Sequence, residues 1–141
     1  MQSKKEQLTN EAIKFVRNGY YCSEAILHVF NKELNLELND NALKMATGLG
    51  AGIGGSKCCC GSLTGAVMVL SAVKGRTSNT EDINEISSLA QEMHDKFKER
   101  FKSTCCRVLT KPVEWATAEH FQFCEKYVGG AVDILYDILH K

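Results

Sequence analysis

Along this chain apolar residues recur every three or four positions from the first segment to the last, and nowhere do they alternate with polar ones at the period of a strand. With a single proline in 141 residues, that pattern confines the fold to helices packed on helices. The spacing predicts a first helix on Leu8, Ala12, Phe15 and Val16, stopped by Asn18-Gly19. A second starts near Cys22-Ser23-Glu24 and presents Ile26, Val29, Phe30 and Leu34, after which Asn39-Asp40 caps a short third helix through Leu43 and Met45 that ends in glycines. Residues 63–73 are apolar on all sides and read as the buried central helix, ended by Lys74-Gly75. Ser78 and Glu81 have capping-box spacing ahead of a long amphipathic helix carrying Ile83, Ile86, Ala90, Met93, Phe97 and Phe101. A last helix opens around Pro112 and buries Phe121, Cys124, Val128, Val132 and Leu135. The expectation is an all-α, single-domain bundle over residues 1–141, with five to six helices around a central apolar helix and a glycine-rich loop.

Composition narrows the partners. Hydrophobic residues make up 44% of the chain, enough for an ordinary core without disulfide staples. Lys+Arg and Asp+Glu both number 17, for a formal charge of zero, and no block of like charge could follow a phosphate backbone, so no nucleic acid is expected. The N-terminal residues run into a charged amphipathic segment rather than an apolar signal core, and no apolar run reaches the roughly 18 residues of a membrane span. A cytoplasmic protein without a membrane span is the expectation.

Seven cysteines stand out. They fall in four places: Cys22, the triplet Cys58-Cys59-Cys60, the pair Cys105-Cys106, and Cys124. In a reducing compartment thiols at this density are metal ligands or redox groups more often than permanent staples. A tetrathiolate zinc site, an iron–sulfur cluster and two communicating dithiols all need sulfurs converging from separate segments, as these four places allow. No Cys-x-x-Cys occurs, so the zinc knuckle, ferredoxin and thioredoxin motifs are absent. Cys22 and Cys60 both sit where a helix is predicted to begin, where unpaired N–H groups and the helix dipole stabilise a thiolate. Lys57, Lys102 and Arg107 act in the same direction on the triplet and on Cys106 if they point inward. Cys124, flanked at helical spacing by Phe121 and Val128, faces the core, where desolvation raises its pKa. Against this stands the plain reading of a buried cysteine as a small hydrophobe, which suits Cys124 but not three consecutive cysteines. Vicinal disulfides are strained, so Cys58 and Cys59 would more readily bond a partner such as Cys105 or stay free.

Five glycines fill eight positions between Gly48 and Gly55. Gly50, Gly52 and Gly55 satisfy G-x-G-x-x-G, but a dinucleotide site needs a strand before it and a βαβ unit around it, and neither is supplied. The glycines are read as conformational, permitting positive φ and letting the loop wrap the cysteine site with its N–H groups toward sulfur or an anion. His120 precedes Cys124 by one helical turn and could serve it as a base or as a further metal ligand, with a solvated helix histidine as the plainer reading. No Ser-His-Asp arrangement can be assigned, and Glu24, Glu114, Glu119 and Glu125 read as surface or first-turn carboxylates.

These residues resemble the C-GCAxxG-C-C family of redox-active proteins. The early cysteine is Cys22 in Tyr21-Cys22-Ser23-Glu24-Ala25; the central motif is Cys60-Gly61-Ser62-Leu63-Thr64-Gly65, preceded by the glycines; Cys106 and Cys124 supply the third and fourth positions. Ser62 stands where the family usually has alanine, and Cys58, Cys59 and Cys105 are additional. The resemblance implies redox chemistry at Cys22, Cys60, Cys106 and Cys124. Some relatives look like domains attached to electron carriers with an iron–sulfur centre, which implies a cluster as a cofactor for the same four sulfurs.

Three readings follow. In the first, the four cysteines perform thiol–disulfide or electron-transfer chemistry with a redox partner protein, Cys60 or Cys22 attacking and a neighbour resolving. In the second, the same four residues hold an iron–sulfur cluster or Zn²⁺. In the third, the chain is an all-helical interaction protein with incidental cysteines.

Overall fold

The structure, a computed structural model, describes residues 2–141. Helix α1 (Lys4–Arg17) starts where Ser3 Oγ accepts the Glu6 N–H at 3.1 Å and ends at Asn18, followed by Gly19 with φ of 99°. Helix α2 (Cys22–Glu33) buries Ala25, Ile26, Leu27, Val29 and Phe30. Asn39 caps α3 (Asp40–Leu43) by accepting the Ala42 N–H at 2.9 Å. The chain then tightens into a 3-10 helix (Lys44–Leu49) and a single turn, α4 (Gly50–Ile53). After the cysteine triplet come α5 (Gly61–Lys74), α6 (Asn84–Phe101), α7 (Cys106–Leu109), α8 (Ala118–Phe123) and α9 (Glu125–Leu139). The fold is all-α: the described residues contain no strand, only one isolated bridge between Cys59 and Cys105. None of these helices is long and apolar enough to cross a membrane.

Five long helices, α1, α2, α5, α6 and α9, build one core. The most extensive contact is α2 on α5; α1 lies on α9 and α2, and α6 lies on α5 and α9. Phe30, Leu70, Met93, Phe97, Val132 and Leu135 are fully buried where these faces meet. Burial of each such side chain contributes about 1.5–3 kcal/mol, so packing rather than surface charge holds the bundle. The ion pairs that tie α1 and α6 to α9, Lys5 with Asp133 (2.6 Å) and Arg100 with Asp133 (2.5 Å), are partly solvated and add about 1 kcal/mol or less.

Several expectations change. Ser78 and Glu81 do not form a capping box: they belong to a turn in which Arg76 holds the Asn79 and Glu81 carbonyls, and α6 begins at Asn84, whose N–H is accepted by Asp82. Ile83, assigned to the apolar stripe, therefore precedes the helix and is exposed. The helix expected from Pro112 is two helices broken at Cys124, with Thr117 as the cap of the first, and Phe121 is 47% exposed because the break turns it away from the core. In α5 the last turn runs past the core, leaving Val73 exposed; Met45 is exposed because the 3-10 turn carries it outward.

At Gly65 the backbone of α5 packs directly on the backbone of α2. A Cβ there would lie 2.8 Å from the carbonyl oxygen of Ser23 and 2.9 Å from its Cα, backbone that cannot rotate aside. Gly65→Ala is expected to lower stability by about 1–3 kcal/mol in denaturant unfolding. Gly48→Ala, with nothing within 4 Å of the added methyl, is expected to be near neutral; equal effects of the two would remove this contact as a determinant of the fold.

Candidate functional site

The four cysteines of the motif lie at four helix starts. Cys22 is the first residue of α2, Cys60 is the N-cap of α5, Cys106 opens α7, and Cys124 is the residue between α8 and α9. Their side chains line one cavity of about 50 Å³, together with Ser62, His120, Tyr21 and Gly52. This is room for a few water molecules or the end of one extended ligand.

Glycines permit the convergence. A Cβ on Gly61 would lie 2.6 Å from Cys22 Sγ, so only glycine lets that sulfur reach the first turn of α5. At Gly52 φ is +64° and a Cβ would lie 2.7 Å from the Cys58 nitrogen and 2.9 Å from Cys106 Cβ. Gly52 sits in a left-handed turn that also includes Ala51 and Ile53, both at positive φ, a conformation costing about 1–2 kcal/mol per non-glycine residue. The N–H groups of Gly54, Gly55 and Cys58 are bonded to the carbonyls of Gly50, Ala51 and Gly52. The loop thus shapes the cavity wall, and those N–H groups do not turn toward sulfur as expected from the sequence.

The thiols are not equivalent. The Cys60 thiol stabilises the Cys22 thiolate by hydrogen bonding and holds its pKa below the ordinary 9.0, against burial and the charge of Cys124. The same interaction, with burial, raises Cys60 well above 9.0. Cys60 was expected to be an activated helix-start thiol; the interaction with Cys22, then burial, outweigh the dipole, and of the two helix-start thiols it is Cys22 whose pKa is lowered. Burial, then the charge of Cys60, pushes Cys106 up to about 11, even though Lys57 acts the other way. Burial pushes Cys124 up to about 12, as its apolar setting implied.

Two neighbours in the cavity differ from their sequence-based reading. Ser62, only 1% exposed, has no settled partner for its Oγ, and the groups that feel its hydroxyl are the sulfurs of Cys22 and Cys60. Expected to be a small packing residue, it is the one polar group of α5 aimed at the thiol pair; its place two residues after a helix-start cysteine was the available signal. His120 is buried rather than solvated: Ala116 donates its N–H to Nδ1 at 3.0 Å and the Trp115 ring lies against it, tilted by 32° with centroids 4.3 Å apart. Burial, with Lys57 nearby, lowers its pKa, so it is neutral at pH 7. Glu24, in the first turn of α2, accepts the Tyr21 N–H at 3.0 Å and the Thr47 hydroxyl at 2.9 Å, fixing the start of the helix that carries Cys22.

A tetrathiolate site needs its sulfurs disposed around one point at about 2.3 Å from the ion. Among the described residues no three His, Cys, Asp or Glu side chains are so arranged. The donor set as it stands is therefore not arranged as a tetrathiolate. Cys58 is exposed, and Cys59 and Cys105 face each other across the bridge; none of the three lines the cavity.

No curated protein and no solved structure matches the chain. A family model described as "Putative redox-active protein (C_GCAxxG_C_C)" matches residues 20–138, from the residue before Tyr21 to the last turn of α9, and so takes in all four cavity cysteines. The chain belongs to this C-GCAxxG-C-C family of redox-active proteins.

Proposed function

We propose that the cavity is a thiol–disulfide exchange centre in which Cys22 is the nucleophile and Cys60 the resolving thiol. The observation that carries this reading is the placement of the two sulfurs together at the starts of α2 and α5, with Gly61 clearing the space between them. The Cys22 thiolate attacks one sulfur of an external disulfide; that S–S bond breaks, and the departing thiolate takes up a proton. The charge that held Cys60 protonated is then gone. Its pKa falls, it releases its proton and attacks Cys22 Sγ, and the second external sulfur leaves as a thiol. Two electrons and two protons pass from the dithiol to the substrate, and the reverse sequence oxidises an external dithiol. Cys106 and Cys124 stay protonated at neutral pH and do not compete. Exposed Tyr20, Tyr21 and Phe121 rim the cavity and give a redox partner protein an apolar surface to lie on.

A second reading rests on the same convergence of four sulfurs on one cavity: Cys22, Cys60, Cys106 and Cys124 as ligands of an iron–sulfur cluster or Zn²⁺, after a rearrangement of the thiol pair. Metal analysis of protein isolated without oxygen decides between them. Stoichiometric iron or zinc, lost in Cys60→Ala and Cys106→Ala, would establish the ligand reading and end the exchange one.

With Cys22 as the nucleophile, its alkylation by iodoacetamide, followed by peptide mass, should rise with pH through a midpoint below 9.0, because the reacting form is the thiolate and its pKa is lowered. Cys60→Ala removes the hydrogen bond and moves the midpoint upward; a midpoint higher by about one pH unit slows the reaction at pH 7 about tenfold, because the thiolate fraction falls by that factor. The same variant should retain a mixed disulfide on Cys22 that the wild type resolves; an unchanged midpoint and no trapped adduct would exclude the assignment. Ser62→Ala should move the Cys22 midpoint upward by a smaller amount while leaving stability unchanged or higher by up to about 1 kcal/mol, since it removes a buried hydroxyl without a settled partner. A loss of stability with an unmoved midpoint would make Ser62 a packing residue only.

A further inference from the structure

The three cysteines outside the cavity include a pair with its own geometry. Cys59 and Cys105 oppose each other in the isolated antiparallel bridge. Its two hydrogen bonds run from the Cys60 N–H to the Thr104 carbonyl (2.8 Å) and from the Cys106 N–H to the Cys58 carbonyl (3.1 Å), on either side of the 59/105 pair. That makes 59/105 a non-hydrogen-bonded pair, the type in which Cα atoms lie about 4.5 Å apart and the side chains leave the same face close together. The spacing falls in the roughly 4.4–6.8 Å range that a disulfide spans without moving the backbone. Successive side chains on an extended segment point to opposite faces, so Cys60 and Cys106 enter the cavity while Cys59 and Cys105 point away from it. Both of the latter are partly exposed, and the Cys105 thiol donates only to the Lys57 carbonyl at 3.4 Å, a bond that rotation about its Cα–Cβ bond releases.

We propose that Cys59 and Cys105 form a second dithiol, separate from the cavity thiols, which a low-molecular-weight disulfide oxidises to an intrachain bond. One of the two loses its proton and attacks the oxidant, whose S–S bond breaks and whose departing sulfur is protonated. The other then loses its proton and attacks the protein sulfur of the mixed disulfide, expelling the second oxidant sulfur as a thiol. Two electrons and two protons move to the oxidant, leaving one S–S bond between residues 59 and 105. Cys58 stands one residue out of register with this pair. The proposal does not depend on the roles given to Cys22 and Cys60.

The test is disulfide mapping of the reduced full chain after exposure to oxidised glutathione, with free thiols blocked and the tryptic peptides 58–74 and 103–107 fragmented to locate the bond. The expected product joins Cys59 to Cys105, persists in Cys58→Ser and in the Cys22→Ser/Cys60→Ser double variant, and is replaced in Cys59→Ser by a glutathione adduct retained on Cys105. The bond persisting in the double variant while exchange at Cys22 is lost would separate this site from the cavity. Cys59 and Cys105 both remaining blockable while other thiols oxidise, or Cys105 joined to Cys58 instead, would overturn the proposal; the wild-type map decides this whether or not a variant folds.

Discussion

The molecule depends on how closely the first turn of α2 lies against the first turn of α5. Gly61 and Gly65, one helical turn apart, present bare backbone to Cys22 Sγ and to the Ser23 main chain, where methyl groups would come within 2.6 and 2.8 Å. Ser23, fully buried, donates its hydroxyl to the Ala46 carbonyl at 2.8 Å, so the same contact anchors the 3-10 segment and, through it, the left-handed glycine turn over the cavity. A buried hydrogen bond contributes about 1 kcal/mol, whereas relieving an overpacked backbone contact takes about 1–3 kcal/mol. Steric fit therefore sets the geometry, and the hydrogen bond selects its register. Core and site are one contact, and a change that separates the helices separates the thiols.

That proximity makes two chemically identical side chains unequal. Placed alone in an apolar cavity, each thiol would be pushed toward the neutral form by desolvation, as Cys106 and Cys124 are. Placed together, one can ionise because the other donates to it, and the donor is thereby made harder to ionise. The pair titrates as a unit, its first proton leaving below the ordinary 9.0 and its second well above it. Such an asymmetry suits two-step exchange, since the second thiol becomes acidic only after the first has lost its charge in a covalent bond. Helix starts and burial act on both residues and cannot distinguish them; the interaction between the two thiols, which lowers Cys22 and raises Cys60, does.

Helical periodicity made the five long helices readable, and the stops at Asn18-Gly19 and Lys74-Gly75 fall where turn chemistry places them. Legibility failed where tertiary contacts overrode local pattern. Thr117 wins the helix start from Pro112 because its hydroxyl accepts the His120 N–H at 3.1 Å, and the chain then bends at Cys124, exposing Phe121 that a continuous helix would have buried. Ser78 satisfied the capping spacing, but Arg76 holds two carbonyls of that segment in a turn and the helix waits for Asn84. That four separate segments each offer a sulfur was legible, and so were the helix starts at Cys22 and Cys60; the helix starts at Cys106 and Cys124 were not, because they come from tertiary breaks in the chain. Which sulfur is lowered was not legible either, because that depends on the contact between the Cys22 and Cys60 thiols, which has no periodic signature.

The single bridge explains why an all-helical protein sorts its sulfurs into two sets. A helix distributes consecutive side chains around its circumference, but an extended segment sends them alternately to two faces. Where residues 58–60 meet 104–106 the chain is extended on both sides, so cysteines adjacent in sequence face different environments: Cys60 and Cys106 line the cavity, and the partly exposed Cys59 and Cys105 do not. Two backbone hydrogen bonds are all that the bridge supplies, joining positions 46 residues apart around the whole of α5 and α6. An element so small, closing so long a loop, owes its place to the helices around it. The distance between the segments presenting Cys60 and Cys106 is thus fixed from both faces, by helix packing within and by whatever covalent state the outward pair adopts.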